Sequence, residues 1–314
     1  MREPGGIVRA NGGIISELKR NSALYIMVVP VILYFLVFCY LPMAGIVMAF
    51  KNFNYVQKIF RSPWNGFNNF RYFFVSGKAW LVTRNTFMYN LIFIAAYNFF
   101  SLVIAIFVAE MSGKLYKKSA QSFMFLPYFI SWVVTAALMY NLFNYEFGIV
   151  NNILKSLGKK SIDIYSNPKY WYFILPAIYV WKWAGFGSVL YLAAIMGIDQ
   201  ECYEAAKIDG ATVYQKIFFI TLPNLKPTLA IMILLGLGRI ARGEFDMFYQ
   251  LIGNNGLLMN STDIIDTLVF RSLMGTLDFG MASAAGAYQS VLCFVILMLA
   301  NYTIKKMHRD YALF

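Results

Sequence analysis

Six apolar runs dominate the chain, near residues 23–49, 87–109, 123–143, 172–195, 225–237 and 282–304. A helix rising 1.5 Å per residue needs about 20 apolar residues to cross a hydrocarbon core. Backbone in lipid must satisfy its own hydrogen bonds, and runs of this length do so as helices. The expectation is an all-α membrane protein with six transmembrane helices and both termini on one side. The fifth run fades into charged residues after Leu237. With 60% hydrophobic and 13% charged residues, the chain is not an ordinary soluble domain, where charge is about 25%.

The reactive side chains are sparse. Cys39, Cys202 and Cys293 are scattered without metal or disulfide spacing, and His308 is the one histidine. Neither a histidine-based catalytic site nor a zinc site can be built from these. Gly77-Lys78, Gly113-Lys114 and Gly158-Lys159 all lack the earlier glycine of a phosphate loop. If ATP drives this protein, a separate chain hydrolyses it, and no catalytic or metal-binding residue is expected here.

Residues 1–22 are polar and carry Arg2, Arg9, Lys19 and Arg20. They read as a retained cytoplasmic segment, with a signal peptide as the alternative. Residues 305–314 read as a basic tail on the same side. Short segments on the side of the termini hold thirteen basic residues, against nine on the other side in loops 51–82 and 144–171. That difference weakly favours cytoplasmic termini.

The stretch 199–224 is polar and lies between two membrane-length runs, so it sits at one face and is open to a partner. Glu204, Ala205 and Ala206 are read as beginning a short helix whose small residues admit a close surface. Gly210 permits a turn. Ile217, Phe218 and Ile220 offer an apolar side for packing, and Pro223 is expected to end the helix before the next span. The ordinary alternative is an interfacial helix–turn–helix. Glu204-Ala205-Ala206, Gly210 and Ile220-Thr221-Leu222-Pro223 resemble the EAA loop of ABC importer permeases at every fixed position of that pattern.

That resemblance implies a type I importer permease: a domain over residues 23–304, with 199–224 as its coupling loop. It further implies a second, similar permease, two cytoplasmic ATPases holding ATP and Mg, and an extracellular solute-binding lipoprotein. The setting would be a bacterial cytoplasmic membrane, with cytoplasmic termini, a lipid surround and no nucleic-acid partner. Two alternatives are a permease for amino acids or peptides and an ion-coupled secondary transporter using membrane acids.

Trp64-Asn65-Gly66-Phe67-Asn68-Asn69-Phe70 resembles the W-x-G-F-x-N-F stretch of carbohydrate ABC permeases, against a generic aromatic belt. Further segments are similar to the LplB-type subset that imports polysaccharide fragments. They are Gly238-Arg239, Phe248-Tyr249-Gln250, Thr262 to Thr267, Phe270-Arg271, Gly280-Met281, Ser283 to Gly286, Tyr288-Gln289-Ser290 and Ala312-Leu313-Phe314.

Charge inside a membrane faces a bundle interior or an aqueous cavity. Lys182 lies mid-span between Trp181 and Trp183, with no acid near it in sequence. Arg239 is placed about 21 Å along the fifth helix from Leu225, followed by Arg242, Glu244 and Asp246. One reading makes these the wall of a substrate pathway, with Trp181, Trp183, Phe245 and Tyr249 as faces for sugar rings and Gln250 beside them. The other pairs Arg239 or Arg242 with Glu244 or Asp246. Asn90, Asn98, Asn141 and Asn301 read as helix–helix hydrogen-bonding groups. Loop 51–82 has five basic residues and no acid. With Lys182, Arg239 and Arg242, that raises the expectation of a substrate bearing carboxylates.

Overall fold

The computed structural model describes residues 21–54 and 56–307. The expected tails, including His308 and Ala312 to Phe314, lie outside these residues apart from Asn21, Ser22 and Lys305 to Met307. The described residues form helices and no strands; an isolated bridge joins Lys51 and Trp64. In chain order they are α1 (Ser22–Phe50), α2 (Asn68–Val75), α3 (Lys78–Glu110), α4 (Lys114–Phe129), α5 (Trp132–Phe143) and α6 (Ile149–Ser156). Then follow α7 (Pro168–Met196), α8 (Gln200–Ile208), α9 (Val213–Leu237), α10 (Phe245–Ile252), α11 (Ile265–Met274) and α12 (Phe279–Met307).

Five helices (α1, α3, α7, α9 and α12) are long and apolar enough to cross a membrane. The expected third span is not one rod. Helices α4 and α5 meet at Ile130-Ser131 with a bend of 93°, and together they make the sixth candidate span. Pro127 weakens the end of α4, and Ser131 starts α5 afresh by accepting from Val134 N–H at 3.3 Å. Hydropathy averages across such a bend, which is why the run looked continuous.

The fifth span also differs from expectation. Its helix begins at Val213, not near Leu225, so Pro223 lies inside the span rather than ending a helix before it. A π turn at Ile217–Thr221 precedes the proline, and Leu222 N–H bonds to Ile217 carbonyl. The extra residue makes room for a ring that would strike the carbonyl four residues back. The same device recurs in α1, where the π turn Leu36–Tyr40 precedes Pro42.

The W-x-G-F-x-N-F stretch clamps the end of α1. Asn69 Nδ2 donates to Ala49 and Lys51 carbonyls at 2.9 Å each, and Phe50 meets Phe67 and Phe70 at 5.4 and 5.3 Å. Lys51 is buried, donates to Phe60 carbonyl at 2.5 Å and sits over Trp64, so it is not a free external charge. Between Ser22 and Met43, α1 has no buried residue.

The centre is the α3–α7 pair. One apolar cluster, with Tyr89, Phe93, Trp132, Trp171, Leu175 and Phe248, fills the half toward α10. Another, with Ala105, Tyr191, Ile195 and Leu225, fills the half toward α8. Glycine permits the tightest approach. A Cβ on Gly185 would lie 1.9 Å from Met124 carbonyl oxygen, so α7 presses directly on the backbone of α4. Gly185→Ala should therefore cost about 1–3 kcal/mol as an overpacked contact that no rotamer change relieves. Thermal unfolding of the detergent-purified chain measures this, and an unchanged midpoint would contradict the packing.

Candidate functional site

Between the two apolar clusters lies a cavity of about 350 Å³. Its wall comes from one stretch each of three spans: Asn90 to Asn98 on α3, Tyr179 to Phe186 on α7, and Met232 to Gly236 on α9, closed by Arg239, Arg242, Gly243 and Glu244. The last four belong to an irregular segment, 238–244, between α9 and α10. The estimate that placed Arg239 along a continuous helix is therefore corrected, because α9 stops at Leu237.

Non-helical backbone at membrane depth needs partners, and neighbouring helices supply them. Asn90 Nδ2 donates to Ile240 and Arg242 carbonyls at 2.7 and 2.9 Å. Gln289 Nε2 on α12 donates to Ala241 carbonyl at 2.8 Å and to Asp266 Oδ2 at 3.0 Å. Asp266 Oδ2 also accepts from Gly243 N–H at 2.7 Å. A Cβ on Gly243 would sit 2.3 Å from Ile264 Cδ1, so a larger residue there would have to displace that side chain. Asn90 joins helices as expected. Asn98 does too, accepting from Tyr191 hydroxyl at 2.6 Å. Asn141 bonds within its own helix.

Of the expected pathway residues, Trp183, Arg239, Arg242 and Glu244 meet at this cavity. Among the described residues, neither arginine lies within 4 Å of an acid; the ion pair found there joins Arg271 and Asp263. Pairing of Arg239 or Arg242 with Glu244 or Asp246 is thus not what the structure holds. Glu244 Oε1 instead accepts from Trp132 Nε1 at 3.4 Å. Trp183 Nε1 is buried and has no hydrogen-bond partner among the described residues.

The remaining expected pathway residues are placed elsewhere. Lys182 is buried and turned to the α4–α5 break, where Nζ donates to the carbonyls of Pro127 and Tyr128 at 3.4 Å and to that of Ile130. It also lies 5.0 Å from the Trp132 ring. Its partners are backbone oxygens, which no sequence pattern reveals. Trp181 lies on the outer face of α7 and is exposed. Phe245 and Tyr249 stack on each other and on Phe270 at 4.8–5.4 Å, so they are committed to the α10–α11 contact. Asp246 is exposed in the first turn of α10, where an anion favours the helix dipole. Gln250 lies on the same helix away from the cavity. Sequence reasoning missed Phe93, Tyr97, Tyr179 and Phe186, which had no signal beyond being aromatic within spans.

At the other end, α8 stands out from the bundle. Its start is earlier than expected: Asp199 caps it by accepting from Glu201 N–H at 3.0 Å, so Glu204 falls mid-helix. Glu204 and Ala205 are exposed, Ala206 is half-buried, and Ile208 is 86% exposed. Gly210, at φ +75°, ends the helix in the left-handed turn that favours glycine, with Ala211 N–H bonding Ala206 carbonyl at 2.9 Å. Thr212 and Gln215 form a capping box that opens α9. Tyr203 hydroxyl and Thr221 Oγ1, 2.9 Å apart, tie α8 to α9. Ile220 is half-buried, Leu222 and Pro223 continue into the span, and Phe218 is exposed rather than packed.

The bundle thus holds a cavity between three spans and an exposed polar helix at one end. Residues 101–309 match the family of binding-protein-dependent transport system inner membrane components. The chain belongs to this family of ABC importer permeases, as a multi-pass membrane protein of the type I fold. It is 31% identical over 306 residues to protein LplB of Bacillus subtilis (strain 168), covering 97% of this chain and 96% of that one. It is 29% identical over 293 residues to the polygalacturonan/rhamnogalacturonan transport system permease protein YteP of the same organism, covering 93% and 91%. Among solved structures, it is similar to a chain of a bacterial ABC transporter involved in the import of the acidic polysaccharide alginate. That similarity has a TM-score of 0.86 and 32% identity over 95% of this chain and 100% of that one.

Lys182→Met should take the Lys182 donor from the Tyr128 and Ile130 carbonyls, with Pro127 carbonyl keeping its bond from Ile130 N–H, and cost about 1–3 kcal/mol, whereas Trp181→Phe should be near neutral. Melting curves without substrate distinguish this from a substrate contact. An unchanged midpoint for Lys182→Met, with transport lost, would return Lys182 to the pathway.

Proposed function

We propose that this chain is one of two permease subunits of an ATP-driven importer of oligosaccharides or polysaccharide fragments bearing carboxylates. The exposed α8, tied to a span that lines the cavity, carries this reading. Glu204, Ala205, Ala206 and Gly210 would seat α8 on a cytoplasmic ATPase, with Ile220, Leu222 and Pro223 joining it to α9. Two such ATPases would hold ATP and Mg. The bare face of α1 offers surface to a second permease, and an extracellular binding protein would deliver substrate to the cavity. Both termini would then be cytoplasmic. The work is alternating access between two states.

The substrate class rests on a census of the cavity's hydrogen-bonding groups. Asn90 and Asn98 spend their amides on protein oxygens. The Arg239 and Arg242 guanidinium groups, Trp183 Nε1 and the Tyr97 and Tyr179 hydroxyls make no hydrogen bond among the described residues, and they face a single acid, Glu244. Donors without acceptors suit an anionic, oxygen-rich ligand, and guanidinium groups match carboxylates at two points. Phe93 and Tyr179, stacked at 4.3 Å, give an aromatic wall for a sugar face. Similarity to permeases named for polygalacturonan and alginate transport supports the same class.

Two measurements test this on the complete transporter. Gly210→Val should abolish substrate-stimulated ATPase activity while the subunits still assemble, since a β-branched residue resists positive φ. Undiminished stimulation would refute the coupling role. Arg239→Gln with Arg242→Gln should slow uronide uptake at least about tenfold while sparing neutral glycans of equal length, a loss in scale with charge-assisted hydrogen bonds. Equal slowing of both would refute the acidic specificity.

A further inference from the structure

A second hollow lies at the root of α8, with a volume of about 460 Å³. Lys114, Lys117, Lys118 and Gln121 line it from the first two turns of α4. Leu192, Ile195 and Met196 line it from the end of α7, and Gln200 and Tyr203 from α8. The end of α3 closes it with Val108, Ala109 and Glu110. The three ammonium groups face one carboxylate, and among the described residues none of them is in an ion pair. Lys117 spends a proton on Ala109 carbonyl at 2.7 Å, which leaves Lys114 and Lys118 uncommitted and exposed.

The depth of the hollow identifies its occupant. Charge on α4 stops at Lys118, and apolar residues dominate from Phe123 onward, so the lysines mark the level where the helix passes from water to lipid. Below them the wall is Val108, Leu192 and Ile195; beside them Leu115, Tyr116 and Met196 are 75%, 70% and 74% exposed. A site with cations above, aliphatic walls below and bare apolar side chains around it matches an amphiphile whose head is anionic. An acidic protein segment would meet the lysines but leave the aliphatic wall and these side chains in water.

We infer that this hollow binds the phosphate headgroup of an anionic phospholipid from the cytoplasmic leaflet, with an acyl chain along α3 and α7. The leaflet assignment rests on α8 facing the cytoplasm. Basic clusters at this level attract anionic lipid. Because Tyr203 both lines the hollow and bonds Thr221, the bound headgroup braces α8 against α9. The lipid is thus a structural partner of the coupling helix.

The test uses the complete transporter in nanodiscs of phosphatidylcholine, with or without phosphatidylglycerol. Phosphatidylglycerol should be retained in native mass spectra and should raise substrate-stimulated ATPase activity. Lys114→Gln with Lys118→Gln should weaken its binding about 25-fold, roughly fivefold per lysine. Lys114→Arg with Lys118→Arg should preserve binding, and Lys226→Gln, exposed midway along α9 and outside the hollow, should change nothing. Three results would overturn the inference. One is equal lipid retention by wild type and the double glutamine variant. Another is displacement by inorganic phosphate alone, which would make this a free-anion site. The third is loss of the ATPase subunits from the glutamine variant in lipid-free detergent, which would assign the lysines to a protein contact.

Discussion

Backbone that leaves the helix inside a membrane must find partners within the protein, and two such places shape this molecule. One is the α4–α5 break at Ile130-Ser131; the other is the segment 238–244 after α9. Lys182 supplies donors to the first, Asn90 and Gln289 to the second. The two are linked, since Lys182 lies over Trp132 and Trp132 donates to Glu244. Segment 238–244 forms one side of the cavity with Arg239, Arg242, Gly243 and Glu244, and the α4–α5 break touches it through the Trp132–Glu244 bond.

The satisfied and unsatisfied groups fall into separate sets. The amide nitrogens of Asn90 and Gln289 each make two bonds that hold segment 238–244, so these donors are structural even where Asn90 lines the cavity. What faces the cavity unspent is Arg239, Arg242, Trp183 Nε1 and two tyrosine hydroxyls. Of these only Trp183 Nε1 is a buried donor left unpaired, at a cost of roughly 1–3 kcal/mol that a ligand acceptor would recover; the two arginines are exposed and offer charge rather than a buried deficit. The site's chemistry therefore follows from the donors left over once the fold has met its own needs.

Legibility divides along the same physics. Spans α3, α7 and α12 were readable because hydropathy reports any straight apolar helix; α7 and α12 fell within a few residues of expectation, while α3 begins at Lys78, nine residues before the expected Phe87. Span α9 was misjudged at its start, since a proline preceded by a π turn looks in sequence like a helix end. The α4–α5 bend was invisible because both halves are apolar. Gly210 was readable, as positive φ at a turn follows from residue type alone. Lys182 was not, since burial against carbonyls leaves no mark in neighbouring letters, and proximity to two tryptophans suggested a sugar site instead. Asp266 and Gln289 stood inside recognisable motifs, but their task of holding segment 238–244 needs the three-dimensional arrangement.

The continuity of α9 supplies the last step. With its π turn at Ile217–Thr221 and no break to Leu237, one element runs from the Tyr203–Thr221 contact to Gly236 at the cavity wall. Fifteen residues at 1.5 Å each place these points about 22 Å apart. Had Pro223 ended a helix, motion of α8 would have dissipated in a hinge above the membrane surface. Because the π turn absorbs the proline, α9 runs on as one helix from Val213 to Leu237. It meets α3 where a Cβ on Gly236 would stand 3.0 Å from Ile94. Segment 238–244 follows α9 directly at Gly238, so Arg239 and the Gly236 contact lie on the same continuous element as the Tyr203–Thr221 tie.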